Sequence, residues 1–450
     1  MRLQSLVTAG ATLSLIGLLL GPARKAEALQ LSRVTDINPS IGYFSPRTLT
    51  VFDNALYFSA EDFLNGRELW KYDGITTSLV ADINPGYSSS DLNGFTVFDN
   101  ALYFSADDGV HGQELWKYDG TTASLVADLI PTSVYFGSFP SNLTVFDNSL
   151  YFSAEFRDND GSIRRKLWKY DGTTASLVSE FLLAGGSNPG DLTVFDNALY
   201  FRAEDVNGFE LWKYDGTTAS LVADINPGRT DSFPLSSFPS DLTVFENALY
   251  FSADDGVSGF ELWKYDGTTA SLVADINPGS VSFGLLSSLP EFLTVFNNVL
   301  YFRANDGVHS NELWKYDGTI ASLVADIYPG SDNSGSFGSF PAGFSVFENA
   351  LYFQALDSVN GRELWQYDGT TASLVADIYP GSGSSAPFGF TVFNNALYFS
   401  ADDGVNGQQL WKLELDEPTS VPEPTSALGL LAFGAVGATS VLKRKLQKSA

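Results

Sequence analysis

Acidic residues set beside glycine recur along this chain, as Asp107-Asp108-Gly109, Asp254-Asp255-Gly256 and Asp402-Asp403-Gly404. Related loops follow at Glu61-Asp62, Asp158-Asn159-Asp160-Gly161, Glu204-Asp205, Asn305-Asp306-Gly307 and Asp357. Carboxylates in glycine turns, close to backbone carbonyls, offer the roughly six to eight hard oxygens that Ca2+ takes. Asp107, Asp108, Asp254, Asp255, Asp402 and Asp403 are therefore the candidate metal ligands, and Ca2+ is the candidate cofactor. The competing reading is local: an Asp before Gly caps its own turn and needs no ion. No loop shows the complete alternating pattern of a calcium motif.

Other chemistries are poorly supplied. The 450 residues include two histidines and no cysteine, which removes most zinc, haem and thiol chemistry. No Ser-His-Asp set and no phosphate-cradling glycine loop is apparent, and the paired acids recur instead of standing out at one place, so the expectation is a chain that is not an enzyme. A glycan-active or lactone-type hydrolase is the alternative. His111 and His309 share one loop register and read as solvated. Arg157, Arg164, Arg165 and Lys166 form the one basic cluster of the central region, able to meet an acidic polysaccharide or a neighbouring acidic surface. A net charge of −28 argues against nucleic acid as a partner.

The elements that hold these loops repeat. Trp70, Trp116, Trp168, Trp212, Trp263, Trp314, Trp365 and Trp411 are spaced by 46, 52, 44, 51, 51, 51 and 46 residues, the length of a propeller blade. In the fifth copy, Leu242–Phe245, Ala248–Ala253, Glu261–Tyr265 and Ser271–Ile276 read as four short strands. The first two meet at Glu246-Asn247, and Asn holds that second place in all eight copies because it tolerates the left-handed conformation of a tight hairpin. The last two meet at Asp266-Gly267, read as a second two-residue hairpin. Each unit is thus an antiparallel four-stranded meander, apolar on both faces as a sheet between two neighbours must be. The tryptophans, present in every unit, read as packing residues.

The eighth unit lacks its fourth strand. The missing segment stands at the start, where Ser32-Arg33-Val34-Thr35-Asp36-Ile37 matches Ser78-Leu79-Val80-Ala81-Asp82-Ile83. A first strand that completes the last sheet closes a ring and removes an open edge. The fold class expected is all-β, an eight-bladed β-propeller over residues 29 to about 418. The motif Glu261-Leu262-Trp263-Lys264-Tyr265-Asp266-Gly267-Thr268 also resembles the ELWxxDGT repeat of large secreted bacterial proteins. Copies one, three and eight depart from it at Ile75, Lys166 and Gln409. The resemblance supports a propeller and implies no established activity.

Residues 1–28 read as a secretory signal, with Arg2, an apolar stretch Leu6–Leu20 and an Ala26-Glu27-Ala28 site that places cleavage after Ala28. Residues 419–450 carry Pro422-Glu423-Pro424, an apolar run Ala427–Leu442 and a basic finish, Lys443-Arg444-Lys445. The apolar run is long enough for a short membrane helix. This tail resembles the PEP-CTERM sorting signal of exosortase substrates, which implies export, membrane retention through the C-terminal helix and processing near Pro422–Pro424 by an exosortase-type enzyme. Without both ends the central region keeps 51 acidic and 18 basic residues, so it is more acidic than the whole chain.

Meander topology puts the second-to-third loops and the connectors between units on one face, and both hairpins on the other. The connectors vary where the units agree, and segments such as Tyr135-Phe136-Gly137-Ser138-Phe139-Pro140 suit recognition, with Tyr135 able to stack on a sugar ring. The expected function is binding or structural, in the bacterial envelope or extracellular matrix, with polysaccharide or an envelope protein as partner.

Overall fold

The computed structural model describes residues 29–34, 44–130, 137–158, 161–179, 181, 185–281, 284–332 and 335–415. Ala28, Tyr135, the Pro422-Glu423-Pro424 motif, the apolar run and the basic tail lie outside them. Residues 31–413 form one compact unit; of the other, which holds both ends of the chain, only residues 29, 30, 414 and 415 are described. Among the described residues no helix is long and apolar enough to cross a membrane.

The central unit is an eight-bladed β-propeller of four-stranded antiparallel sheets. Blade 1 comprises Arg47–Phe52, Ala55–Asp62, Gly66–Tyr72 and Thr77–Ala81, and blade 2 Asn93–Phe98, Ala101–Asp107, Gln113–Tyr118 and Ala123–Ala127. Blade 3 begins at Ser141, blade 4 at Ser187, blade 5 at Ser240, blade 6 at Glu291 and blade 7 at Ala342. Blade 8 joins Phe388–Phe393, Ala396–Asp402 and Gln408–Leu415 to Leu29–Arg33 from the start of the chain. The Val34 N–H extends that closure by donating to the Leu410 carbonyl at 2.8 Å.

All eight first hairpins place both turn residues at positive φ, as in Asp53 (43°) with Asn54 (55°) and Glu246 (45°) with Asn247 (59°). These angles give the turn the twist that two-residue hairpins require. The second hairpin is wider than expected. In blade 5 it spans four residues, because the Asp266 carboxylate accepts the N–H groups of Thr268 and Thr269, both at 2.8 Å, and so builds the turn around itself. Tyr265 Oη donates to the Gly267 carbonyl at 2.7 Å, fastening the turn to its own strand.

Strand alternation makes the seams. From blade 1, Phe52, Tyr57 and Leu69 pack on Leu102, Phe104, Ala106 and Trp116 of blade 2. The opposite face of blade 1, with Leu56, Phe58, Ala60 and Tyr72, meets Phe393, Ala396, Tyr398 and Leu410 of blade 8 in the same register. The closing seam is therefore a seam like the others. Trp116, Trp168, Trp212 and Trp314 are buried in seams, and Trp70, Trp263 and Trp365 pack against them, so tryptophan is core. First strands line the axis and touch one another around it. Thr96, Thr144, Thr193 and Thr243 each pass a hydroxyl hydrogen bond to a leucine carbonyl of the next blade, and Thr391 does the same to Leu49 across the closure at 3.1 Å.

Candidate functional site

The connectors differ in length but end on one device. Glu68, the Glu of the Glu-Leu-Trp motif in blade 1, is fully buried and accepts the Ile83 N–H at 2.7 Å, the Ser90 N–H at 3.1 Å and the Ser90 hydroxyl at 2.8 Å. Glu114, Glu210, Glu261, Glu312 and Glu363 repeat this arrangement with Ser138, Ser237, Ser288, Ser339 and Ser385. The serine lies 22, 24 or 27 residues beyond its glutamate, so variable loop length is absorbed before the staple. The serine backbone then bridges blades: Ser90 donates to Arg67 of blade 1 and accepts from Asp107 of blade 2. Burial raises the carboxyl pKa at all six positions, to about 7 for Glu68 and Glu210. Where Lys166 and Gln409 replace the glutamate, a buried phenylalanine fills the seam instead. Phe181 sits edge-on to Phe201 and Trp212, and Phe44 to Phe58 and Trp70.

The predicted metal ligands are held as three separate pairs. Asp107 accepts the Gly109 N–H at 2.7 Å; Asp108 accepts the N–H groups of Val110 and His111, and its second oxygen meets His111 Nδ1 at 2.7 Å. Asp254 and Asp255 cap Gly256, Val257 and Ser258 in the same way. Asp402 and Asp403 cap Gly404, Val405 and Asn406, and Asp403 also lies 3.7 Å from Arg33. Each carboxylate is engaged as a turn cap. Among the described residues no group of three His, Asp or Glu side chains is placed to hold a metal ion. His309 pairs with Asp306 as His111 does with Asp108, and in both the hydrogen bond to the carboxylate raises the imidazole pKa. The histidines are thus turn residues hydrogen-bonded to a neighbouring carboxylate, and both side chains remain partly exposed to solvent.

The basic cluster does not stay together. Lys166 is buried, Arg157 and Arg164 are exposed, and Arg165 turns into a cleft of about 550 Å3 shared by blades 1, 2 and 3. Arg47 and Arg67 line the same cleft; sequence reading missed both, because neither stands in a basic run.

Around this face the residue after each connector serine adopts a left-handed backbone, and in four blades it is bulky: Phe139 (φ 49°), Phe238 (45°), Leu289 (48°) and Phe340 (48°). A non-glycine residue pays about 1–2 kcal/mol for that conformation. All four side chains remain partly in solvent. Phe238 stacks on Phe209 at 5.1 Å, whereas Phe139 meets no ring among the described residues. The second-to-third loops add Val110, Val206, Val257, Val308, Val359 and Val405, all more than 60% exposed, and exposed Phe63, whose ring lies 6.1 Å from that of Tyr87 in the connector to blade 2.

No family model matches the chain, and no curated protein matches it. Solved structures share its architecture at low identity. A puromycin hydrolase is 11% identical with a TM-score of 0.46, the match covering 82% of this chain and 61% of that one. The acylaminoacyl peptidase of Pyrococcus horikoshii is 12% identical with a TM-score of 0.45, covering 82% and 59%. The WD40 domain of SCAP from fission yeast is 11% identical with a TM-score of 0.42, covering 86% and 98%. The chain thus spans about three fifths of the length of the two hydrolases. Their presence among its structural neighbours corrects the expectation that the chain is not an enzyme. Propellers occur in chains that hydrolyse, the fold does not exclude catalysis, and that expectation is withdrawn. The propeller itself is read from the eight four-stranded sheets of this chain.

Proposed function

We propose that this chain is an exported binding propeller of the bacterial envelope or extracellular matrix, contacting polysaccharide or protein through its long-loop face. One observation carries the reading: blade-to-blade variation is greatest on that face. The hairpin face repeats an Asp-Asn type turn eight times with one geometry, while the opposite face changes connector length, left-handed residue and loop tip from blade to blade. A buried glutamate–serine staple under most connectors lets the loops vary without disturbing the blades. Rigid scaffolds that display variable loops are suited to recognition. The leader ending at Ala28 and the Pro422-Glu423-Pro424 tail support export and processing by an exosortase-type enzyme.

The test is a glycan array probed with the full chain, with and without Ca2+, while the same glycans are followed by chromatography so that turnover is read beside binding. Polysaccharide retention that is lost in Phe139→Ala or Phe340→Ala and kept in Asn197→Gly supports the reading. An array that retains nothing, or binding lost only through hairpin-face substitutions, would overturn it for polysaccharide.

A further inference from the structure

The reading above leaves the ligand's chemistry open, and the cleft at blades 1 to 3 narrows it. Arg47 opens the first strand of blade 1, Arg67 sits at the start of its third strand, and Arg165 near the start of the third strand of blade 3, Ile163–Tyr170. Far apart in sequence, they converge because these strand ends meet on the long-loop face beside the axis.

Their charges are poorly compensated. Arg165 is fixed by neutral acceptors: Ser153 Oγ at 2.9 Å, the carbonyls of Phe139 and Ser153 at 2.7 and 2.8 Å, and Ser141 Oγ at 2.7 Å. It makes no ion pair among the described residues. Arg67 donates to the Ser45 carbonyl at 2.8 Å, and its ion pair is a marginal 3.5 Å contact with Glu61, whose side chain is half exposed. Arg47 is exposed and has neither hydrogen-bond nor ion-pair partner among the described residues. Burial, and then repulsion from Arg47, lower the pKa of Arg67, which places two guanidinium groups within electrostatic reach of each other. Asp91 contributes one exposed carboxylate to the lining. On blades 4 and 6 the pattern is different: Arg202 is paired with Asp191 at 3.5 Å, and Arg303 with Glu291. Among the residues that line the cleft three arginines face one carboxylate, Asp91, while Glu61 and Glu155 act on Arg67 and Arg165 from outside the lining.

The rest of the lining offers hydrogen bonds and an apolar face. The amides of Asn93 and Gln113 both donate to the Asp91 carbonyl at 2.8 Å, which orients them; the Asn93 oxygen is left to accept, and the Gln113 oxygen, which takes the Ser105 hydroxyl at 2.5 Å, keeps one lone pair. Phe139 supplies an unstacked ring at the rim. A guanidinium fork matches a carboxylate in two parallel hydrogen bonds, amides meet hydroxyls, and an aromatic face takes the C–H side of a sugar ring. The volume lies within the range of about 300–1,000 Å3 typical of ligand sites.

We propose that this cleft binds a carboxylate-bearing sugar, a uronate unit of an acidic polysaccharide, with Arg47, Arg67 and Arg165 reading the carboxylate and Asn93, Gln113 and Phe139 reading the ring. The proposal rests on the long-loop face being a glycan-binding face. The hydroxyl-matching amides and the free ring favour a sugar over an acidic peptide, which would need the arginines alone.

The test is titration calorimetry of the full chain with galacturonate, guluronate and glucuronate oligosaccharides, their neutral methyl esters, and a glutamate-rich peptide of equal charge. At least one uronate series binds, esterification weakens it tenfold or more, and Arg47→Gln weakens it by a similar factor, while Arg303→Gln leaves it unchanged. Arg47 is exposed and unbonded, so its loss leaves the fold intact; Arg165→Gln serves as a second variant, checked by its melting temperature. Binding of the esters as tight as that of the acids overturns the carboxylate assignment and leaves the glycan face standing. Equal binding of the peptide reassigns the cleft to protein. Binding of no saccharide, acidic or neutral, removes both this proposal and the glycan reading on which it rests.

Discussion

The hydroxyl of Ser90 lies 2.8 Å from the buried carboxylate of Glu68, and the Ser90 N–H reaches the other oxygen at 3.1 Å, so that one side chain of blade 1 holds the backbone that enters blade 2. Its five repeats make the seams of the propeller sensitive to acid and base in a definite direction. Glu68 and Glu210 are pushed up by burial from 4.5 to about 7. Between those values the folded chain keeps protons that the unfolded chain has released, so stability falls as pH rises from about 4.5 to 7. At the turns the sign is opposite. Hydrogen bonds from Thr121, Thr173, Thr268 and Thr319 hold Asp119, Asp171, Asp266 and Asp317 down to about 2, and their contribution is lost as pH drops below 3.8. The melting temperature of the full chain is expected to peak near pH 4 and to decline toward neutrality. The double variant Glu68→Gln, Glu210→Gln flattens that decline; an unchanged slope would show that the staples do not cause it.

Removing a staple differs from neutralising it. Glu210→Ala leaves the Ile225 N–H without its acceptor and removes the carboxylate from the Ser237 N–H and hydroxyl, which keep only the Phe209 carbonyl at 3.0 and 3.3 Å. At about 1–3 kcal/mol for each buried group left unsatisfied, the cost is on the order of 3 kcal/mol. Urea unfolding monitored by tryptophan fluorescence reads it, and Glu210→Gln is expected to lose less than half as much.

The closing seam has no glutamate, and Phe44 carries it. Phe44→Ala removes a fully buried ring and is expected to cost about 3–5 kcal/mol. Its edge-on contact with Phe58, at 5.9 Å, is expected to give a coupling of about 0.5–1.5 kcal/mol in a double-mutant cycle. Additive single losses would mean that the two rings merely fill space side by side.

At the first hairpins a single residue tests the backbone. Asn247 has a φ of 59°, so Asn247→Ala is expected to destabilise by about 1 kcal/mol and Asn247→Gly to be nearly neutral. Equal losses for both would assign the effect to the asparagine side chain instead.

Export is tested at the tail. In a host that carries an exosortase-type enzyme, replacing Pro422, Glu423 and Pro424 by alanine is expected to leave unprocessed chain in the membrane fraction, where the unaltered chain is shortened. Identical sizes and locations for both chains, followed by immunoblot, would remove the sorting reading.

Blade number, strand order and ring closure were legible because they are written many times over. Asn54, Asn100 and Asn148 each restate the same turn, and the match of Val34 with Val80 is visible once the repeat is aligned. The cleft was hidden for the converse reason. Arg67 and Arg165 share one place in the repeat with Arg362, but Gln113, Phe209, Phe260, Asn311 and Gln408 fill it elsewhere, and only the folded ring brings blades 1 and 3 to one cleft across blade 2. Repetition also concealed the staple: a glutamate present in six blades looked like motif, and its partner serine drifts from 22 to 27 residues away. The acidic loops allowed both a cation site and a self-capped turn in the sequence, and the structure shows the caps, as at Asp108 and Asp255. The divergent third blade was noticed as a run of charges, yet strand alternation sends Arg165 and Lys166 to opposite faces of one sheet.

One sheet holds both Leu29–Arg33 and Gln408–Leu415. Its hydrogen bonds join a strand that precedes blade 1 with one that follows blade 7, so blades 1 to 7 can form in order while blade 8 waits for Gln408–Leu415. During synthesis the nascent ring carries an unmatched seam on blade 1 until its final strand arrives. Completion of the ring therefore requires both segments, and a product truncated before Gln408 is left with an open edge.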